Sequence, residues 1–94
     1  MIWKRSTYSH SGTLAVFAND DDGSPYGVAT VYLEGQSETL PKNCAFVDTN
    51  NWPDVIETLQ KEDLAEKLID VNGSSGFCVY PAMRFKIEKI SEAR

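Results

Sequence analysis

Side chains that alternate in steps of two dominate this chain and commit most of it to strands. Leu14, Val16 and Ala18 fall on one side of a run that places Thr13, Ala15 and Phe17 on the other, a period that a helix cannot satisfy. Tyr26 to Leu33 resumes the pattern, with Val28, Thr30 and Tyr32 opposite Ala29, Val31 and Leu33. Between the two runs, Asn19 to Pro25 is built from Asn, Asp, Gly, Ser and Pro, residues that suit turns. The pair reads as a β-hairpin with a longer loop. A third run extends from Phe77 to Ile90. Phe77, Val79, Met83, Phe85 and Ile87 share one face, and Cys78, Tyr80, Ala82, Arg84, Lys86 and Glu88 share the other. One apolar face and one mostly polar face predict a sheet packed on one side. Pro81 interrupts the run and calls for an edge position or a bulge.

The remaining segments fill in the order of elements. Met1 to Ser9 is of mixed character and is placed as an edge strand, ended by the turn signal Ser11-Gly12. Glu34 to Asn43 reads as a loop, and the short apolar run Cys44 to Val47 as a central, buried strand. Pro53 opens a helix, with Val55, Ile56 and Leu59 at helical spacing, Trp52 one turn earlier, and a stop near Glu62. Asp54 and Glu57 fall where the helix dipole favours acids. Asp63 followed by Glu66 has capping-box spacing and predicts a second short helix with Leu64, Ala65 and Leu68 buried. Asn72 to Gly76 reads as a Gly/Ser loop. The expected fold is α+β: a mainly antiparallel sheet with one face covered by the helical segment, built from a hairpin, a short strand, a helix and a long C-terminal strand. At 94 residues the chain has room for one domain, residues 1–94.

Charge and residue counts exclude several functions. Nine basic against fourteen acidic residues give a formal charge of −5, the wrong sign for a general nucleic-acid binder or a basic membrane-surface helix. No run approaches the ~18 apolar residues of a membrane span. Ser6 to Gly12 is polar where a secretory signal would be apolar. The expected compartment is therefore the cytoplasm, with Cys44 and Cys78 reduced. Cys44, Cys78 and His10 are three widely spaced ligands, one short of a closed zinc site. No metal and no cofactor is expected.

Four motifs invite chemical readings. Asp20-Asp21-Asp22-Gly23 resembles part of a calcium loop, but with Gly23 at position six, Ala18 and Ala29 occupy positions one and twelve, where ligands are required. Gly73-Ser74-Ser75-Gly76 precedes a strand rather than the helix that a phosphate cradle needs. Ser9 and Ser11 flank His10, but strand neighbours point to opposite faces and adjacency does not make a catalytic pair. Cys44 lies in an apolar run that raises a thiol's pKa and leaves it inert. No catalytic residue is expected, and the chain is read as a non-enzyme.

The charge pattern carries more. Between Ser6 and Pro41 there are acids at Asp20, Asp21, Asp22, Glu34 and Glu38 and no Lys or Arg. Asp48 to Asp70 is again acidic, Asp54 and Glu57 included, while Lys4, Arg5, Arg84, Lys86, Lys89 and Arg94 collect near the termini. A negative hairpin loop and helical face can steer a basic partner. The candidate partner-binding residues are Asp20, Asp21, Asp22, Glu34, Glu38, Asp54 and Glu57. A second reading places a small, nucleotide-like ligand at Asp48, Asn50 and Asn51, next to a helix start, where the same residue types also serve as caps. A third makes the chain a homo-oligomeric module that pairs copies through an edge strand and exposed Trp3, Tyr80 or Tyr32; monomer and small homo-oligomer both stay open.

The string Asn43-Cys-Ala-Phe-Val-Asp-Thr-Asn-Asn51, the hairpin Asp22-Gly-Ser-Pro-Tyr-Gly-Val-Ala-Thr-Val-Tyr-Leu33 and Gly76-Phe-Cys-Val-Tyr-Pro81 together resemble a family of small uncharacterised proteins, a domain of unknown function carried by bacteria, their phages and other mobile elements. The resemblance covers most of Leu14 to Phe85 and transfers no activity. It implies a setting in which small acidic proteins act as counter-defence factors, such as anti-CRISPR proteins, by stoichiometric binding inside the host cell. The expected partner is then a protein with a basic surface, such as a CRISPR effector or another defence complex, bound without direct contact to nucleic acid or membrane.

Overall fold

The computed structural model describes residues 1–93 and, for Ile69, the backbone alone. In chain order its elements are β1 (Ile2–Thr7), β2 (Leu14–Asn19), β3 (Pro25–Val28), β4 (Thr30–Val31), a 3-10 turn (Ser37–Thr39), β5 (Cys44–Val47), α1 (Val55–Lys61), β6 (Ala65–Ser75), β7 (Cys78–Phe85), a second 3-10 turn (Ile87–Lys89) and β8 (Ser91–Glu92). The fold is α+β and mainly antiparallel, but the strands form two four-stranded sheets rather than one. The first runs β3-β2-β1-β8 and the second β4-β5-β7-β6.

The change of sheet happens inside the second alternating run. Ala29 separates β3 from β4, and its amide donates to Val16 O (2.9 Å) while its carbonyl accepts from Asp48 N (2.8 Å). The residue thus bonds one sheet through its amide and the other through its carbonyl. β2 and β3 make the expected hairpin, whereas β4 pairs with β5. β1 is not at an edge: it lies between β2 and β8, the latter parallel to it.

Two apolar cores result, on opposite faces of the second sheet. Along β5, Ala45 and Val47 enter the first core and Phe46 the second. Along β7, Met83 and Phe85 enter the first and Tyr80 and Ala82 the second. A strand buried on both faces needs no polar alternation, which is why Cys44–Val47 is apolar throughout. The long β7 run is accordingly not apolar on one face alone: Val79 and Phe77 are exposed while Tyr80 and Ala82 are buried. The first core adds Trp3, Val16 and Ala18 from the first sheet and Val55 and Leu59 from α1.

The expected second helix is a strand. Asp63 does not start a helix; it ends α1 in a left-handed conformation (φ 57°). Leu64 N bonds Leu59 O (2.9 Å) and Asp63 N bonds Gln60 O (3.0 Å), the paired bonds of a Schellman stop. Leu59 and Leu64 meet in the first core, as that motif favours. The chain then enters β6, which pairs with β7 from Ala65 to Ser75 and absorbs the supposed Gly/Ser loop. Its register shifts between Lys67 and Asn72, and the bulge packs Leu68 and Val71 against the second core. Pro81 faces Asn72 at the end of that bulge, one residue past the last β5–β7 pair, a place where proline's missing N–H costs no ladder bond.

Two glycines permit close approaches. A Cβ on Gly73 would stand 2.5 Å from Leu33 Cδ1 and 2.9 Å from the Phe46 ring, and one on Gly27 would stand 3.1 Å from Trp52. Trp52 in turn stacks on Trp3 (centroids 5.6 Å, planes 8° apart). Trp3 is buried in the first core and Tyr80 in the second, while Tyr32 is half-buried, contrary to the expectation of exposed aromatics at these positions.

Candidate functional site

The acidic candidates separate into distinct places. Asp20, Asp21 and Asp22 form the exposed tip of the β2–β3 hairpin. The tip is held by Asp20 N to Ser24 O and Gly23 N to Asp20 O, both 2.8 Å. Asp22 accepts from the Ser24 amide (2.9 Å) and hydroxyl (2.5 Å), and the hydroxyl bond foremost holds its carboxyl below the usual range. The chain's amino terminus lies against this tip and pairs with Asp21 at 2.9 Å. That bond raises the amine's pKa, with a smaller contribution from Glu62 at the end of α1. Glu62 itself accepts from Trp3 Nε1 at 3.1 Å.

Asp54 and Glu57 sit on the solvent side of α1, opposite the buried Val55 and Leu59. Glu34 and Glu38 lie elsewhere. β1 and β2 run antiparallel from the pair Ile2–Asn19 to the pair Thr7–Leu14, so the tip and the Tyr8–Gly12 turn occupy opposite ends of the sheet. Glu38 belongs to the latter end, where it accepts from the Tyr32 hydroxyl and from Gly35 N (3.0 Å). The Tyr32 bond lowers the pKa of Glu38 and raises that of Tyr32 to about 12. The Tyr32 ring meets His10 edge-on at 4.5 Å and Tyr8 at 5.6 Å. The seven acids therefore do not make one continuous face.

Asp48 and Asn51 bond each other in the turn that leads to α1. Asp48 is buried, and its two oxygens accept from Asn51 N (3.2 Å) and Asn51 Nδ2 (2.9 Å). Asn50 is exposed and Asp48 O receives Trp52 N at 2.9 Å. Those bonds orient the entry to α1 and give each Asp48 carboxylate oxygen one partner within the chain. The positive charge at the C-terminal end is also partly answered, because Asp63 binds Lys86 and, at 2.7 Å, Lys89. Those lysines hold the Asp63 carboxyl down at about 2.

One feature escaped the sequence. A groove of about 450 Å³ opens between the outgoing end of β1, the start of β2 and the segment from Ser37 to Cys44. Leu14 and Ile87, which also pack on the first core, give it an apolar floor. Arg5, Thr7, Lys42 and Asn43 give it polar walls. Arg5 shares the inward face of β1 with Trp3, and its Nε donates to Ile87 O (3.2 Å) and Ile90 O (3.0 Å). These wall residues come from separate strands and a loop, so no local spacing announces them. Cys44 is buried there with its Sγ directed to Lys42 O at 3.6 Å. Among the described residues no three His, Cys, Asp or Glu side chains are grouped to hold a metal, and no helix is long and apolar enough to cross a membrane.

The two-sheet α+β fold, with an acidic hairpin tip at one end and a polar-walled groove toward the other, defines a small domain that presents surfaces. The chain belongs to the family described as Domain of unknown function (DUF4313), which matches residues 4–94. No curated protein and no solved structure matches it.

Proposed function

We propose that the protein is a non-catalytic binding domain that acts by occupying a basic surface on a protein partner through the β2–β3 hairpin tip. The observation that carries this reading is the exposed Asp20–Asp22 turn, which is ordered before any partner arrives by its backbone and Ser24 bonds. Preorganised charge loses little entropy on binding and steers encounter with a surface of opposite sign. Asp54 and Glu57, at the start of α1, are exposed acids apart from the tip, and Glu34 and Glu38 lie at the other end of the first sheet. Occupancy requires no nucleophile, metal or cofactor. The finer reading is inhibition of a nucleic-acid-handling defence complex of a bacterial host, in the manner of an anti-CRISPR protein. It rests on the mobile-element setting that the family resemblance implies and on the fit of an acidic turn to a Lys/Arg-lined channel.

Purified RNA-guided nuclease complexes and restriction enzymes, titrated with the protein at stepped salt concentrations, test both levels. Binding should weaken as salt rises. Asp20→Lys with Asp21→Lys, which leaves the Asp22 turn intact, should weaken it by about tenfold or more and flatten its salt dependence. Equal affinity of the double variant would overturn the role of the tip, and no binding to any such complex at low salt would overturn the defence reading.

A further inference from the structure

We propose that the groove between β1, β2 and the Ser37–Cys44 segment binds a small ligand through a single oxyanion, a carboxylate or a phosphate monoester, with Arg5 as its anchor. This site is separate from the hairpin tip and independent of the partner reading. Its volume of about 450 Å³ falls in the range of roughly 300–1,000 Å³ typical of small-molecule pockets. The floor of Leu14, Leu40 and Ile87 would take the apolar body of such a ligand.

Arg5 supplies the recognition. It is half-buried in the groove wall, and its Nε is tied to the carbonyls of Ile87 and Ile90. Those two bonds fix the plane of the guanidinium while using only one of its nitrogens. Among the described residues no carboxylate lies in ion-pair distance of Arg5. A planar, prepositioned fork with two terminal nitrogens is the geometry that receives an oxyanion bidentately. Lys42 adds a second positive charge at the rim, and Thr7 and Asn43 add donors.

Two acids also face the groove and narrow the ligand class. Glu92 lies in register beside Arg5 across the β1–β8 pair, and Glu38 stands on the opposite wall. Both repel a polyanion. The site therefore suits one oxyanion on a compact body, and a positively charged group on that body would meet Glu92.

Amide NMR titrations of the whole chain with sodium acetate and, separately, sodium phosphate, at constant ionic strength against sodium chloride, test the site. Saturable shifts at the Arg5 Nε–H and at the Thr7, Thr13 and Asn43 amides are expected, and the tighter of the two salts identifies the oxyanion. Arg5→Gln should abolish them. Because Arg5 also braces the second 3-10 turn, two rim variants keep the test independent of folding. Lys42→Ala should weaken binding about three- to tenfold, and Glu92→Gln should tighten it by about twofold or more, as each changes one charge next to the bound anion. Shifts that do not saturate with either salt, or saturable shifts that neither rim variant alters, would overturn the proposal.

Discussion

The two cores of this protein lie back to back on one sheet and are closed by different means. The first draws on both sheets and on α1: Val16, Val47, Val55, Leu59 and Met83 are all fully buried in it. Its walls are regular elements whose side-chain period delivers each residue to the interior. The second is smaller, with Leu33, Phe46, Tyr80 and Ala82 at its centre. Irregular pieces close it: the β6 bulge brings Leu68 and Val71, and the segments flanking the first 3-10 turn bring Leu33 before it and Leu40 after it. The approach from Leu33 is pinned by Leu33 N to Ser37 Oγ (2.9 Å), and Gln36 bonds Ser74 through both amide atoms at 2.9 Å. One core thus follows from periodicity and the other from local exceptions to it. Local opening is expected to start at the second, where few apolar contacts hold irregular backbone.

Mutations at the centre of each core separate the two. Leu59→Ala removes a fully buried side chain from the first core, where surrounding elements from both sheets cannot all collapse inward. It should cost about 3 kcal/mol of global stability in urea unfolding. Gly73→Ala forces a methyl group against Leu33 and Phe46 and should cost about 1–3 kcal/mol. Its effect should concentrate in the β6–β7 hairpin, read as faster amide exchange from Asn72 to Tyr80 with the α1 amides little changed. Equal acceleration in α1 would show that the two cores open as one.

The smallest effect concerns the link beneath both. Asp63 stops α1, leads into β6, and holds Lys86 and Lys89. Its carboxyl is depressed to about 2 in the folded chain from a usual value of 3.8. A depressed acid contributes stability that is fully present above the unfolded value and is lost as pH falls through the folded value. The difference in Tm between the wild type and Asp63→Asn should therefore be largest above pH ~4 and shrink toward pH ~2. A pH-independent difference would show that the lysine pairs add nothing beyond the left-handed stop, a conformation that Asn also tolerates.

Much of the first core was readable from residues alone. Strict alternation in Leu14–Ala18, the i, i+4 pair Val55 and Leu59, and the compact apolar run Cys44–Val47 each named an element and a buried face. Where the fold departs from local pattern, remote packing is the cause. Asp63 with Glu66 has the spacing of a helix start, yet Asp63 is the left-handed stop of the preceding helix, because Leu64 packs back on Leu59 and pulls the chain out of register. Gly73 looks like loop glycine, but it sits in a strand where no side chain fits. Trp3 and Tyr80 carry no local sign of burial; Trp52 and the second core, contributed by distant segments, cover them. At the candidate sites, the Asp20–Asp22 tip stayed exposed because turn residues define it locally. The seven acids did not assemble into one surface, because antiparallel pairing sends the two ends of β2 to opposite ends of the sheet.

Period, turn chemistry and net charge are properties of neighbouring residues, and they sufficed for the α+β class, the acidic tip and the α1 stripe. The division into two sheets at Ala29, the back-to-back cores and the groove around Arg5 depend on which strands lie side by side. That choice is made by how apolar area from remote segments can be buried without leaving backbone groups unpaired, and no window along the chain contains it.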